Sequence, residues 1–310
     1  MRNKPTLGIL AGLLTVTLWA SLPLLRSLIE LPPMLTATIA MVSAAMLAQV
    51  LGRRGSKSSV PSAACDMKFW VMGVGGLTGA LYFYFLALGN GDPAKVTLVT
   101  YTWPVGLMLV SDKLEGRGLQ IQTLLGALIA FSGLMPLILT SGESEPTPPL
   151  AYGAGLAAGI SWVVFSLYLK GESQSQRPDF KRIFGGVACV SLCLHLFLEP
   201  AAKNINQWDW LLASLIGFGP YGLAFMTWGY ALLTCSTTLL GILTYLVPVF
   251  SSLFVVVLGW APMNAPLLVA LVAIFASGVI TQTSSSLFNL TSRGDHRSDE
   301  SVLSSQQGTR

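Results

Sequence analysis

The sequence predicts an all-α membrane protein of ten transmembrane helices, arranged as two inverted five-helix repeats. Three observations carry this expectation. The 310 residues are 53% apolar and only 10% charged, with a mean hydropathy of +0.65, far from the composition of a soluble domain. The basic residues are shared unequally between alternate loops. The chain also matches itself when shifted by 143 to 145 positions.

A spanning helix needs about 20 mostly apolar residues, and ten such segments follow one another with short loops between them. The first, 7–28, comes after Arg2 and Lys4 as a secretory signal would, but its apolar run is too long for one. The second is 33–52. The third, 67–89, holds Tyr82 and Tyr84, and the fourth, 94–111, holds T-Y-T-W-P at 100–104. The fifth, 119–140, closes the first half, and the sixth, 149–170, opens the second with Trp162. The seventh, 181–200, carries Cys189, Cys193 and His195. On the eighth, 209–233, Tyr221, Phe225 and Trp228 recur at i, i+4, i+7 along one face. The ninth, 236–258, contains T-Y-L-V-P at 244–248, and the tenth is 263–285. Residues 1–6 form a short lead, and the Ser-rich, charged stretch 286–310 has no apolar face to pack, so it reads as a disordered tail.

With the N-terminus inside, fifteen of the 18 Lys and Arg residues fall on the cytoplasmic side, leaving Arg26, Lys95 and Lys203 outside. Basic residues in short loops set orientation. Both termini are therefore expected in the cytoplasm, and the net charge of +4 is a topology signal rather than a nucleic-acid patch. The four cysteines have neither disulfide nor zinc spacing and read as small core residues.

The self-match aligns Thr100, Tyr101 and Pro104 with Thr244, Tyr245 and Pro248, and Trp19 with Trp162. It also aligns Gly73 and Gly75 with Gly217 and Gly219, and Ser132-Gly133 with Ser277-Gly278. Five helices per repeat is an odd number, so the second half must enter the membrane from the opposite side. Inverted halves that gate around a midplane site, with interrupted helices in matching positions, are a signature of secondary transporters. Proline lacks an N–H, so Pro104 cannot bond the Thr100 carbonyl, nor Pro248 that of Thr244. A plain packing kink would explain either proline alone. The matched pair suggests spare acceptors near mid-depth, which hydrocarbon tolerates only where they are met by protein or line a wet cavity.

Charged side chains within a bilayer are costly and mark ion or proton pathways, and the predicted spans hold none at depth. Arg26, Lys95, Lys170, Glu199 and Asp209 fall near helix ends, and His195, four residues from Glu199, reads as an interfacial contact. This argues against a carboxylate-driven proton–cation exchanger and against a carrier of phosphorylated compounds, which needs a basic cavity. No buried nucleophile sits with a base, so no catalytic residue is expected, and no metal or cofactor site is expected either. Every loop is too short for a soluble sensor domain.

A substrate without strong net charge, held by aromatic surface, hydroxyls and backbone groups, suits this interior. The candidate substrate-binding residues are Trp19, Tyr82, Thr100, Tyr101, Trp103, Trp162, Tyr221, Trp228, Thr244 and Tyr245, with Pro104 and Pro248 as gating helix breaks. In an ideal helix Tyr101 and Trp103 point about 200° apart, so both can line one cavity only if the turn at Pro104 is distorted. Gly8 and Gly12, Gly75 and Gly79, and Gly155 and Gly159 are small pairs one turn apart that allow close helix approach.

The ten-span pattern, Glu115 ahead of Gln122, Gly126 and Gly133, and the Tyr101-x-Trp103-Pro104 and Tyr245-x-x-Pro248-Val249-x-Ser251 stretches resemble the drug/metabolite transporter superfamily, EamA-type branch, nearest to its aromatic amino acid exporters. The likeness covers about residues 7–285, as halves 7–140 and 149–285. It implies a bacterial inner-membrane exporter of Phe, Tyr, Trp and related neutral aromatic compounds, working by alternating access. Its cavity would be lined mainly by the third, fourth, sixth, eighth and ninth spans. The alternative is a broad exporter of neutral hydrophobic drugs or metabolites. The expected partners are a small-molecule substrate and membrane lipid, with no nucleic acid, and the chain is expected to act as a monomer.

Overall fold

The computed structural model describes residues 4–55, 66–116, 121–139, 147–171, 178–201, 206–259, 265–277 and 280. Among them the secondary structure is entirely helical. The tail expected at 286–310, Cys65, His296 and several of the topology-setting basic residues lie outside the described residues.

Seven helices are long and apolar enough to cross a membrane: Thr6–Ser27, Pro33–Gly52, Phe69–Asn90, Pro149–Gly171, Phe180–Leu198, Gln207–Thr234 and Thr237–Val257. They are the first, second, third, sixth, seventh, eighth and ninth of the predicted spans. The fourth is split into Pro93–Thr100 and Trp103–Leu114. The fifth, Ile121–Leu139, carries Pro136 inside it, and the described part of the tenth is the apolar helix Ala265–Ser277. The protein is thus an all-helical, multi-pass membrane protein.

Two spans widen locally into π-helix, at Phe69–Gly75 in the third and Gly217–Leu223 in the eighth. Such single-turn insertions shift the register of every side chain beyond them. In the eighth span Pro220 lies within the widened turn, where a proline can be carried without its missing donor breaking an α-helical ladder.

The spans pack in pairs: third against sixth, second against seventh, and first against eighth. Between the first and eighth, the Thr15 hydroxyl lies 2.7 Å from that of Thr227 and bonds the Ala11 carbonyl at 2.9 Å. The eighth span also presses on the second, where a Cβ at Gly217 would fall on the Ala40 carbonyl oxygen and 2.7 Å from Ser43 Cβ. Main-chain atoms cannot swing aside, so only glycine permits this approach. A large core joins most spans around Trp103, Phe165, Phe184, Phe225 and Trp228. A second cluster joins the fifth, ninth and tenth around Leu134, Tyr245, Val249 and Ile274.

At Gly217 the crossing has no room for a methyl group, so Gly217→Ala is expected to cost about 1–3 kcal/mol of stability. Gly89 has open space around it, and Gly89→Ala should lose nothing. Thermal unfolding of both variants in detergent compares the two positions directly.

Candidate functional site

The site begins at the break in the fourth span. Its first piece ends at Thr100, Tyr101 and Thr102 form a turn, and Trp103 opens the second piece with Pro104 in its first turn. Proline is harmless there, since a first-turn N–H has no intrahelical partner. The ninth span repeats the device as Thr237–Thr244, a turn at Tyr245, and Leu246–Val257. Thr102 (φ −73°, ψ −16°) and Tyr245 (φ −68°, ψ −13°) stay right-handed. The ladder tightens instead of opening: Thr102 N–H donates to Val99 O at 3.2 Å and Tyr245 N–H to Ile242 O at 3.1 Å. The hydroxyls reinforce the turns, Thr102 Oγ1 donating to the same Val99 O and Thr244 Oγ1 to Gly241 O, both at 2.7 Å.

Thr100 is committed to the sixth span. Its hydroxyl donates to Val96 O at 3.0 Å and to Gly155 O at 3.2 Å. Its carbonyl, which the sequence leaves as a spare acceptor, abuts Gly159, where a Cβ would lie 3.2 Å away. Gly155 and Gly159 therefore seat the broken helix against its neighbour.

Beside the two breaks lies a cavity of about 670 Å³, within the range of small-molecule sites. Trp19, Thr100, Tyr101, Trp103, Trp162, Tyr221, Thr244 and Pro248 all line it. The turn at 101–102 brings Tyr101 and Trp103 onto one wall, which a straight helix would forbid. Four other expected residues are not among the lining. Tyr82 packs beside the main core with its ring 5.4 Å from Phe83. Pro104 is buried in the broken span. Tyr245 is fully buried in the second cluster, 6.4 Å from the Phe131 ring, with its hydroxyl unpartnered among the described residues. Trp228 sits behind the cavity, its indole N–H donating to Ser166 Oγ at 3.1 Å.

Trp228 nevertheless closes a ring of indoles beneath the cavity floor. Trp19 meets Trp162 at 5.3 Å, Trp162 meets Trp103 at 6.0 Å, Trp103 meets Trp228 at 5.9 Å, and Trp228 returns to Trp19 at 5.4 Å. Most contacts are edge-to-face, the geometry aromatic quadrupoles prefer. Four spans each give one indole to this closed ring. Phe225 backs it, 5.3 Å from Trp162, and stacks on Tyr221 at 5.3 Å and 14°.

Above this floor the cavity reaches the exposed Pro23, Ser27 and Pro93, so that end is open. The opposite end is tied shut. Lys170 Nζ donates to Ser111 Oγ, Glu115 Oε1 and Thr237 Oγ1, drawing together the ends of the sixth, fourth and ninth spans. Ser111 Oγ also lies 2.9 Å from Thr237 Oγ1 and donates to Glu115 Oε1 at 3.1 Å. An ammonium has three donors, and three acceptors meet it.

Sequence reasoning missed the first span as a full wall, including Arg26, and missed Tyr84, Phe85, Thr97, Ser251 and Ser252 in the lining. A signal existed. Arg26 lies seven residues after Trp19, as Ser251 does after Thr244, the spacing that an unbroken helix would return to one face, although turns at Ser21 and Tyr245 interrupt both intervals. The Lys170 cluster had no such signal, because its members come from three separate stretches. His195 and Glu199 serve the scaffold: His195 Nδ1 lies 2.9 Å from Glu199 Oε2, while Glu199 Oε1 accepts the Met34 N–H at 2.8 Å, capping a helix start.

The EamA-like transporter family profile matches residues 6–139. The aromatic amino acid exporter YddG of Ancylobacter novellus is 30% identical over 276 residues, 87% of this chain and 95% of that protein. The aromatic amino acid exporter YddG of Salmonella typhimurium is 24% identical over 203 residues, 59% of this chain and 67% of that protein. A solved crystal structure superposes with a TM-score of 0.81 at 29% identity, covering 89% of this chain and 97% of its own.

In a background lacking the native cysteines, Ser251→Cys should react with a membrane-impermeant thiol reagent, because Ser251 lines the open cavity. Val249→Cys, fully buried two residues earlier, should stay unmodified. Mass-spectrometric stoichiometry of the two reads the geometry of the ninth span.

Proposed function

The chain belongs to the EamA-like transporter family of the drug/metabolite transporter superfamily, and from that premise we propose that it exports aromatic amino acids across a bacterial inner membrane by alternating access. The observation that carries this reading is the cavity lined by Trp19, Trp103 and Trp162, which Trp228 closes into a ring from behind. A flat apolar ring entering it would meet indole faces and edges from several spans, each such contact contributing about 0.5–1.5 kcal/mol beyond burial. The hydroxyls of Thr97, Ser251 and Ser252 belong to the lining of the same space and supply acceptors for an ammonium.

The two halves, 7–140 and 149–285, are read as inverted repeats. Support comes from the helix pairing, since exchanging the halves turns the third–sixth contact into the eighth–first contact and leaves second–seventh unchanged. The matched tryptophans Trp19 and Trp162 also touch, and the fourth and ninth spans break at matched tyrosines. The excess of Lys and Arg puts the Lys170 end and both termini in the cytoplasm. On this reading the conformation is open outward, and Lys170 with Ser111, Glu115 and Thr237 is the latch that parts when substrate loads from inside. The chain acts as a monomer, because the cavity is complete within it.

The apolar lining from Leu22, Leu81, Leu88 and Val247 favours a second reading, a broad exporter of neutral hydrophobic compounds. Counterflow of radiolabelled tryptophan into proteoliposomes separates the two. Competition by phenylalanine but not by leucine or a lipophilic cation is expected, and Trp103→Ala should lower exchange several-fold. Accumulation of the cation without tryptophan exchange would refute the amino acid assignment.

For the latch, Lys170→Met should speed hydrogen exchange in residues 107–115 and 237–244 by roughly tenfold or more, the loss of charge-assisted hydrogen bonds being worth about 1.5–3 kcal/mol. Exchange in 22–27 should not change. Equal protection in wild type and variant would show that Lys170 does not hold this end closed.

A further inference from the structure

Arg26 stands on the cavity wall near its mouth, at the end of the first span. Nη1 donates to the Ile29 carbonyl at 2.6 Å and Nη2 to the Leu31 carbonyl at 3.2 Å. The guanidinium lies over the Phe85 ring, 5.9 Å from its centroid, and Phe85 lines the same cavity. Guanidinium has five N–H donors in a rigid fork, so these contacts orient it and leave donors over.

Among the described residues no carboxylate forms an ion pair with Arg26. Two lie within electrostatic range, Glu199 and Asp209, but both are engaged elsewhere. Glu199 holds His195 and the Met34 N–H. Asp209 accepts from the Glu30 N–H at 3.1 Å and the Asn206 N–H at 3.3 Å. A half-buried cation facing a ligand-sized cavity without a paired carboxylate is costly unless an anion arrives. Arginine, rather than lysine, suits a planar anion because the fork matches both carboxylate oxygens.

We propose that Arg26 is the residue that binds the carboxylate of the transported molecule. This rests on the aromatic amino acid reading and sharpens it: the recognised class is the aromatic carboxylate, with or without an α-ammonium. Trp19 and Arg26 both line the cavity, seven residues apart on either side of the turn at Ser21, with Arg26 nearer the mouth marked by the exposed Pro23 and Ser27. A ligand whose ring rests on the tryptophan floor therefore extends its polar end toward the guanidinium. The fork then selects for an acid at that end and against an aromatic amine of the same size.

The test is direct binding to the purified full-length protein by titration calorimetry, with 3-indolepropionate (acid, no amine) and tryptamine (amine, no acid) as probes. Arg26→Gln is expected to weaken 3-indolepropionate by about tenfold or more and to leave tryptamine within about twofold, with Arg26→Lys between wild type and Arg26→Gln for the acid. Unchanged affinity for the acid in Arg26→Gln overturns the proposal. So does a parallel loss for both probes, which would mark Arg26 as a brace for Ile29 and Leu31 only. Wild-type protein that binds tryptamine but not the acid also overturns it, while leaving the aromatic cavity intact. Wild-type protein that binds neither probe rejects the aromatic site itself.

Discussion

Hydrocarbon offers no hydrogen-bond partners, and much of this architecture is a response to that constraint. A helix in a membrane can be interrupted only where the freed main-chain groups are met inside the protein. The fourth and ninth spans satisfy the condition twice over. Their ladders tighten to Val99 and Ile242 at the breaks, and threonine hydroxyls add bonds to Val99 O and Gly241 O. The Thr100 carbonyl is pressed against Gly159 of the sixth span. With the backbone contained, each break is free to redirect side chains. Tyr101 and Trp103 come onto a single wall, and Thr244 faces the cavity while Tyr245 turns away from it.

The same constraint explains why the two ends of the molecule differ in kind. Around the Arg26 end, polar groups hold fixed turns: Glu199 caps the second span, Asp209 caps the eighth and catches Glu30, and Arg26 gathers Ile29 and Leu31. At the Lys170 end, one ammonium and three oxygens join three different helices. The first set stabilises local geometry and can persist through a rigid-body movement. The second spans elements that must separate if that end is to open. Between them the four indoles meet ring to ring, and among the described residues one hydrogen bond joins the ring to its surroundings, Trp228 to Ser166.

Much of the fold can be read from the residues alone. The ten apolar segments appear at nearly the expected positions because hydrophobic length is a one-dimensional property. The breaks before Pro104 and Pro248 are legible because proline has a single backbone meaning. Facing is harder. Tyr82 and Trp228 are aromatic like Tyr101 and Trp103, but which side of a helix meets the cavity depends on the widened turns Phe69–Gly75 and Gly217–Leu223, which rotate the remainder of their spans. Arg26 lies near a helix end, where a charge reads as interfacial, yet the cavity extends to that end. Long-range clusters such as Lys170 with Thr237 cannot be seen in a single sequence, since nothing local couples residues 67 positions apart.

Half of the eight tryptophans of the chain belong to the central ring, with neighbouring indole centroids 5.3 to 6.0 Å apart. At such spacing, excitation absorbed by one indole passes readily to the next, so the four share their excitation. An aromatic molecule resting on that surface lies within quenching distance, and any movement that parts the four helices lengthens the transfer paths. The protein therefore carries an optical reporter at its own centre, sensitive to occupancy and conformation without any attached label.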